Sequence, residues 1–291
     1  MKFKKTLLAL AVTAGVTVTS TANAGFVDVV TIVDESGSMS GEHTWIGGMI
    51  SGLDSALSSL ATPISPNNFG LVGFGGASPH LAGHQHDVGA VGSEFGTAAE
   101  FSTATASLLL NGATEDGYSG IAAANGYSFR AAARNFILVT DEDRDTLAGS
   151  TLTYANTLSS LTSTKTLLNA VISATFTCGD GTTAALGMDS SNIGYVADGA
   201  GGFTTCTGAT ATAGAGTTIA DYVDLALATG GAAWDLAVLR SGGVAATSFT
   251  KAFIDIKVAE IVDQTGNVPE PATLALLGFG LAGLRASRKR G

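Results

Sequence analysis

The stretch from Phe26 to Met39 constrains the fold of this chain more than any other. It begins Phe-Val-Asp-Val-Val-Thr-Ile-Val, in which seven of eight residues are apolar or β-branched. Such a run predicts a strand buried on both faces, as in the centre of a parallel sheet. The strand ends at Asp34, and Ser36 and Ser38 follow at alternate positions. Because ligands bind where the strands of open α/β sheets end, these oxygen donors predict a site for Mg²⁺ or Ca²⁺.

The rest of the chain alternates between strand-like and helix-like segments, which favours a doubly wound α/β sheet. Helical spacing predicts helices at 45–60, 95–110, 118–134, 147–161 and 244–262. Further strands are predicted at 68–74, 86–91, 135–140, 166–176 and 230–235. Residues 178–217 break the pattern, because they are rich in Gly, Thr, Ala and Asp and show no sustained period. We therefore predict an irregular insertion at 178–217.

The segment Asp34-Glu35-Ser36-Gly37-Ser38 resembles the first metal-binding motif of the von Willebrand factor type A (vWA) family. The metal-ion-dependent adhesion site (MIDAS) of that family takes five side chains from three loops. Thr114, in the Gly-rich loop 111–117, matches the second loop, and Asp141, directly after the predicted strand 135–140, matches the third. The resemblance covers residues 26–263. It implies a mostly parallel sheet with helices on both faces and one antiparallel edge strand, at 86–91.

The resemblance also implies a role for each residue of the site. Asp34, Ser36, Ser38 and Thr114 would bind a divalent cation directly or through water, and Asp141 would do so through water. Mg²⁺ is the expected ion, with Ca²⁺ and Mn²⁺ as alternatives. An acidic group of a partner would complete the coordination, which describes an adhesion module. Two alternatives stay open: a matrix protein in which the metal only stabilises the fold, and plain turn or capping roles for these side chains.

Two clusters near the predicted site depart from the family pattern. The family has Gly after the third-loop Asp, whereas this chain has Glu142 and Asp143. Together with Glu115, these carboxylates could hold a second ion, or they could form an ordinary solvated acidic loop. His80, His84 and His86 could bind Zn²⁺, or they could be solvated side chains of an exposed turn.

Both ends of the chain have the composition of targeting segments. Three Lys residues, an apolar run and Ala22-Asn23-Ala24 predict a signal peptide at 1–24, which leaves a domain at 25–264. In the tail, 265–291, Pro269-Glu270-Pro271 precedes an apolar run and a basic cluster. This order resembles the PEP-CTERM sorting signal. The resemblance implies a Gram-negative source, transient inner-membrane anchoring, processing by an exosortase, and a final place at the cell surface or in the extracellular matrix. A plain C-terminal membrane anchor is the alternative.

Export also bears on the cysteines and on the partners. Cys178 and Cys206, the only cysteines, are predicted to form a disulfide that closes the insertion. Between the two targeting segments the chain has seven Lys and Arg against 23 Asp and Glu, a net charge of −16. This charge disfavours nucleic acid as a partner. The expected partners are a protein that presents a carboxylate, or an acidic exopolysaccharide.

Enzymatic motifs are not apparent in the sequence. It contains neither a Gly-x-Ser-x-Gly elbow nor a Gly-x-x-x-x-Gly-Lys loop. A metal-dependent hydrolase would need a Lys or Arg near the strand ends, for which Arg144 and Lys165 are the nearest candidates. We therefore expect a binding module and not an enzyme.

Overall fold

The structure, a computed structural model, describes residues 25–266. The predicted signal peptide and nearly all of the predicted sorting tail lie outside the described residues. The strands are β1 (Val27–Asp34), β2 (Asn68–Phe74), β3 (His84–His86), β4 (Ala133–Thr140), β5 (Leu167–Ile172), β6 (Ala174–Thr177), β7 (Ala184–Ala185), β8 (Gly187–Asp189), β9 (Ile193–Ala197), β10 (Phe203–Thr207), β11 (Thr210–Gly214) and β12 (Ala232–Asp235). The α-helices are α1 (Ser40–Ser58), α2 (Ala98–Ala104), α3 (Gly117–Asn125), α4 (Tyr154–Ser163), α5 (Asp224–Ala228), α6 (Leu236–Arg240) and α7 (Gly243–Thr265).

Nine strands form one sheet in the order β10-β9-β8-β12-β5-β4-β1-β2-β3. The five central strands, from β12 to β2, are parallel. As predicted, β1 is an interior strand of the parallel part, between β4 and β2, and all eight of its residues are buried. The mixed α/β fold with a large, mostly parallel sheet is therefore confirmed.

Antiparallel strands extend this sheet at both ends. On one side β3 pairs with β2, so the predicted antiparallel edge strand exists, although it spans 84–86 and not 86–91. On the other side β8, β9 and β10 add three more antiparallel strands. The prediction of one antiparallel edge strand was therefore wrong, because the segment 178–217 joins the sheet.

Helices cover both faces of the sheet. On one face α1, α2 and α7 contribute Ile46, Phe101 and Phe249 to a core that also includes Val29 and Val33 of β1. On the other face α3, α4 and α5 pack against Val30 and Ile32 of β1, and their buried side chains include Ile121, Leu161 and Leu225. Alternate side chains of β1 thus enter two cores, which explains why its sequence is apolar almost throughout.

The predicted helices at 95–110 and 118–134 are shorter in the structure. The first is limited to α2 and one 3₁₀ turn (Thr105–Ser107), because Thr97 and Glu100 form a capping box that starts the helix at Ala98. The second ends at Asn125, and the Tyr127 hydroxyl then donates a hydrogen bond of 2.7 Å to the carbonyl of Leu71. Beyond the two helices, Leu108 and Tyr127 are buried as parts of loops.

The segment 178–217 was predicted to be irregular, but it contains five short strands, β7 to β11. β8, β9 and β10 belong to the main sheet, whereas β6, β7 and β11 form a separate three-stranded sheet. The predicted strand 166–176 is divided between these two sheets after Ile172. The predicted disulfide is present and joins Cys178, directly after β6, to Cys206 in β10. It therefore connects the small sheet to the edge of the large one.

Candidate metal centre

The strand order of the sheet reverses between β1 and β4. Going outward from this point, the chain continues through β2 and β3 on one side and through β5 and β12 on the other. In doubly wound sheets the crevice beyond the carboxyl ends of the two strands at this switch point is the usual ligand site. Asp34 is the last residue of β1, and Asp141 follows the last residue of β4.

The buried carboxylate of Asp34 connects the ends of these two strands. Its Oδ2 accepts a hydrogen bond of 2.8 Å from the Thr140 hydroxyl, and its Oδ1 accepts one of 2.7 Å from the Ser36 amide. Burial raises the pKa of Asp34 to about 6, even though these hydrogen bonds lower it. A neighbouring cation would remove this penalty on the ionised form.

Ser36, Ser38 and Asp141 continue the same hydrogen-bond network. The hydroxyl oxygens of Ser36 and Ser38 are 3.0 Å apart, and the Ser38 hydroxyl donates to Asp141 Oδ1 over 2.9 Å. The structure therefore brings together four of the five residues predicted to form the site. Their carboxylate and hydroxyl oxygens are the hard ligands that Mg²⁺ and Ca²⁺ use.

Thr114 is half-buried, and no hydrogen bond within 25–266 joins its hydroxyl to the other four side chains. Its loop is nevertheless attached to the end of β1. The amide of Asn111 donates to the carbonyl of Glu35 over 3.0 Å, and the Asn111 side chain accepts from the Ala77 amide over 3.1 Å. The loop is thus held beside the network.

Glu115, next to Thr114, lies beside Asp34 in the interior of the protein. It is fully buried, and neither of its carboxylate oxygens accepts a hydrogen bond from the described residues. A Cβ built on Gly75 would lie 3.0 Å from Asp34 Oδ1 and 3.2 Å from Glu115 Cγ, so the two side chains flank this glycine. Burial, followed by the charges of Asp34 and Glu142, raises the pKa of Glu115 to about 8. A buried carboxylate without a partner beside a second one fits a cation site.

Arg240 was not predicted as part of this site. Its Nη2 lies 2.9 Å from Asp141 Oδ2 and 3.1 Å from the Ser38 carbonyl, and its Nε lies 2.6 Å from Glu42 Oε1. The nearby basic side chains expected from the sequence were Arg144 and Lys165. The signal for Arg240 was its position just after the predicted last strand, since that strand ends at the same edge of the sheet.

The acidic loop 141–145 has several separate contacts. Arg144 Nε donates to the buried Asp116 carboxylate over 2.7 Å, and its guanidinium stacks 4.1 Å from the centre of the Tyr118 ring. Asp143 accepts a hydrogen bond of 3.1 Å from the Thr217 amide at the end of the segment 178–217. Glu142 is exposed, and partial burial and then the charge of Asp141 raise its pKa. Arg144 and Asp143 thus hold the loop in place, and within the described part of the chain the carboxylate of Asp141 is the one in this loop that is hydrogen-bonded to the Asp34 network.

The histidines predicted as a group lie around Glu35. Glu35 was not identified from the sequence as a member of this group. Glu35 is fully buried, and its Oε1 and Oε2 lie 3.0 Å and 3.1 Å from Nε2 of His86 and His84, respectively. Burial alone would raise the pKa of Glu35, but the contacts with His84 and His86 and the hydrogen bond from the Leu109 amide lower it to about 2. Glu35 is therefore ionised, and these residues form a second polar cluster adjacent to Asp34.

The first comparison with known proteins concerns the C-terminal tail. A family model described as the PEP-CTERM protein-sorting motif matches residues 267–290, which confirms the predicted sorting signal and indicates export to the cell surface or the extracellular space. No curated protein matches the chain in sequence. Within residues 25–266, none of the helices has the length and apolarity that crossing a membrane requires.

Solved structures with partial similarity include three of proximal thread matrix protein 1 (PTMP1) from the mussel byssus, one of them described as having a zinc-occupied MIDAS motif. Each is 14% identical to this chain, with TM-scores of 0.37, 0.39 and 0.38. Each alignment covers 51% of this chain and 36% of the PTMP1 chain, so this chain spans little more than a third of those proteins.

Proposed function

We propose that the protein is an exported adhesion module that binds an acidic group of a partner through a divalent cation at the ends of β1 and β4. Asp34, Ser36 and Ser38 would hold the cation, with Asp141 and Thr114 beside it. When bound, the cation supplies a coordination position for a carboxylate of the partner. Mg²⁺ is the ion that we expect, with Ca²⁺ and Mn²⁺ as alternatives.

The observation that carries this proposal is the unpartnered Glu115 carboxylate next to the Asp34 network. A buried carboxylate costs free energy unless hydrogen bonds or a positive charge compensate it. Arg240 compensates Asp141, and Arg144 compensates Asp116. Glu115 has neither kind of compensation among the described residues. A cation at the site would supply what is missing.

The charge of the domain supports a cation-dependent contact with an acidic partner. With seven basic and 23 acidic residues between the targeting segments, the surface repels polyanions in general. A bound divalent cation reverses the charge locally, so attraction would be restricted to this site. The partner would be a protein that presents a carboxylate, or an acidic exopolysaccharide. Exosortase processing of the tail would place the domain at the cell surface or in the matrix.

A structural matrix protein is the second candidate, and the hydrogen bond between Asp34 and Thr140 favours it. This bond joins the ends of β1 and β4, so a cation on Asp34 could act mainly by stabilising the sheet. We propose no catalytic role, since Arg240, whose charge a hydrolase could use near the strand ends, is paired with Glu42 and Asp141.

Calorimetric titration of the purified full chain with Mg²⁺, Ca²⁺ and Mn²⁺ tests the cation site. The variant Asp34→Asn removes the central carboxylate. Asp255→Asn is the matched control, because Asp255 is an exposed residue of α7 whose ion-pair partner is Lys251. We expect saturable Mg²⁺ binding in the wild type and the control and none in Asp34→Asn. Binding that is unchanged in Asp34→Asn would disprove the site.

The adhesion role requires a second measurement, with a poly-aspartate peptide and a polyuronate as probes and neutral dextran as a control. An adhesion module binds an acidic probe with Mg²⁺ present and releases it with a chelator, and Asp34→Asn stays folded but does not bind. A structural protein instead loses thermal stability in Asp34→Asn and binds neither probe. This second result would refute the adhesion proposal while leaving the cation site intact.

A further inference from the structure

Glu35, His84 and His86 meet because of how the strands pair. In the antiparallel pair of β2 and β3, His84 lies opposite Gly73 and His86 opposite Leu71. Residues two apart on a strand share a face, so both imidazoles point to the same side. Glu35 reaches this side from the end of β1, one residue beyond Asp34.

The three side chains have the spacing of metal ligands. Their nearest ligand atoms all lie within 4.8 Å of one another, and each Nε2 is 3.0–3.1 Å from a Glu35 oxygen. Nitrogen and oxygen ligands about 2.1 Å from a tetrahedral Zn²⁺ are about 3.4 Å apart. Only small shifts would therefore place an ion between them.

Hydrogen bonds at the other ring nitrogens orient both imidazoles. His84 Nδ1 donates to the Ala82 carbonyl over 3.0 Å. His86 Nδ1 lies 2.8 Å from the Ser107 hydroxyl, which itself donates to the Ala104 carbonyl over 2.7 Å and must therefore accept from His86. Both Nδ1 atoms carry the proton, and the Nε2 atoms face Glu35. Zinc-binding histidines typically have such an outer hydrogen bond.

The carboxylate of Glu35 is incompletely satisfied. Its Oε1 accepts a hydrogen bond of 2.7 Å from the Leu109 amide and lies within hydrogen-bond distance, 3.0 Å, of His86 Nε2. Oε2 accepts none from the described residues, despite its 3.1 Å contact with His84. The space beside it is kept free by a glycine: a Cβ at Gly73 would lie 2.7 Å from both Glu35 Oε2 and His86 Nε2. The arrangement thus combines an unpartnered buried oxygen, two oriented nitrogens and free space.

We propose that Glu35, His84 and His86 form a second cation site, separate from the Asp34 network and selective for Zn²⁺ or a similar transition-metal ion. Two imidazoles and one carboxylate are a ligand set that Zn²⁺ uses, whereas Mg²⁺ and Ca²⁺ prefer oxygen alone. His80 lies beside the three ligands, with its Nδ1 2.9 Å from His84 Nε2, and a water would be the fourth ligand. This inference does not depend on the proposed adhesion function.

The test uses the purified full chain, stripped of metal and given Zn²⁺ in the presence of excess Mg²⁺. Zinc content by mass spectrometry and X-ray absorption at the zinc edge are measured for the wild type, His84→Gln and two controls. His43→Gln removes a histidine outside the cluster, and Asp34→Asn removes the centre of the other site. His84 is the ligand to replace first, because 21% of its side chain is exposed and the core is least disturbed; His86→Gln is the second variant.

We expect one Zn²⁺ per chain that shows scattering from two imidazoles and is retained in both controls. Losing a ligand should weaken zinc binding in His84→Gln by at least about 100-fold, the upper end of the cost of losing an outer-shell partner. Equal zinc affinity in the wild type, His84→Gln and His86→Gln would overturn the proposal. Zinc that shows no imidazole scattering, or that is lost in Asp34→Asn alone, would overturn it as well.

Discussion

Arg240 should compete with a divalent cation for the same carboxylate. Its Nη2 lies 2.9 Å from Asp141 Oδ2, and about a third of its side chain is exposed, so the surrounding dielectric is close to that of water. An ion that Asp141 binds through a water, about 4–5 Å from an Asp141 oxygen, would lie roughly 5–7 Å from the guanidinium. At that distance a double and a single positive charge repel by about 1–2 kcal/mol. Replacing Arg240 by Gln should therefore tighten Mg²⁺ binding by roughly 5- to 30-fold.

Calorimetry on the full chain measures this change, and Arg130→Gln is the matched control. Arg130 also forms a salt bridge with a buried carboxylate, that of Asp28, but it does so at the beginning of β1 and not at its end. Its replacement should leave Mg²⁺ affinity unchanged. If Arg240→Gln binds Mg²⁺ no more tightly than the wild type while remaining folded, Arg240 does not compete with a cation at Asp141.

Two further predictions concern stability. Replacing both Cys178 and Cys206 by Ala, which opens a loop with a sequence separation of 28, should lower the unfolding free energy by about 3–4 kcal/mol in urea titrations; an unchanged midpoint would show that the strands of the segment hold it without the disulfide. Burial lowers the pKa of Lys257 in the folded protein from 10.5, against the opposing effect of Glu260, so its charged form destabilises the fold. Between the lowered pKa and 10.5 the unfolded chain binds a proton that the folded protein has lost, so the unfolding free energy of the wild type should rise with pH over this range. The double variant Lys257→Met/Glu260→Gln lacks these groups and is the reference for this rise. A difference that is constant over this range would contradict the burial of a charged lysine.

Local sequence patterns predicted the parts of the fold that depend on neighbours in the chain. The apolar run before Asp34 predicted a central strand, and the run 135–140 predicted the strand that places Asp141 beside Ser38. The strands of the segment 178–217 escaped notice for a physical reason. They are short and rich in Thr, Ala and Gly, so they lack the alternation of large apolar side chains that indicates a strand.

Contacts that depend on strand pairing could not be predicted in this way. Glu35 meets His86 only because β3 folds back antiparallel to β2 in one particular register. Arg240 reaches Asp141 only because β12 takes its place next to β5. The unpartnered state of Glu115 likewise depends on which charged groups the fold places near it. A linear sequence contains the residues of each cluster but not the distances between them.

The place of β12 has a consequence for the order in which the domain can fold during export. Strands β8, β9 and β10 are hydrogen-bonded to the parallel part of the sheet only through β12. β12 is nevertheless the last strand of the described part of the chain, so the 205 residues from 27 to 231 leave the membrane before it is available. Until then the earlier strands can pair among themselves, but β5 has an open edge and the three antiparallel strands have no sheet to join. The two halves of the large sheet can therefore unite only when translocation of the domain is almost complete.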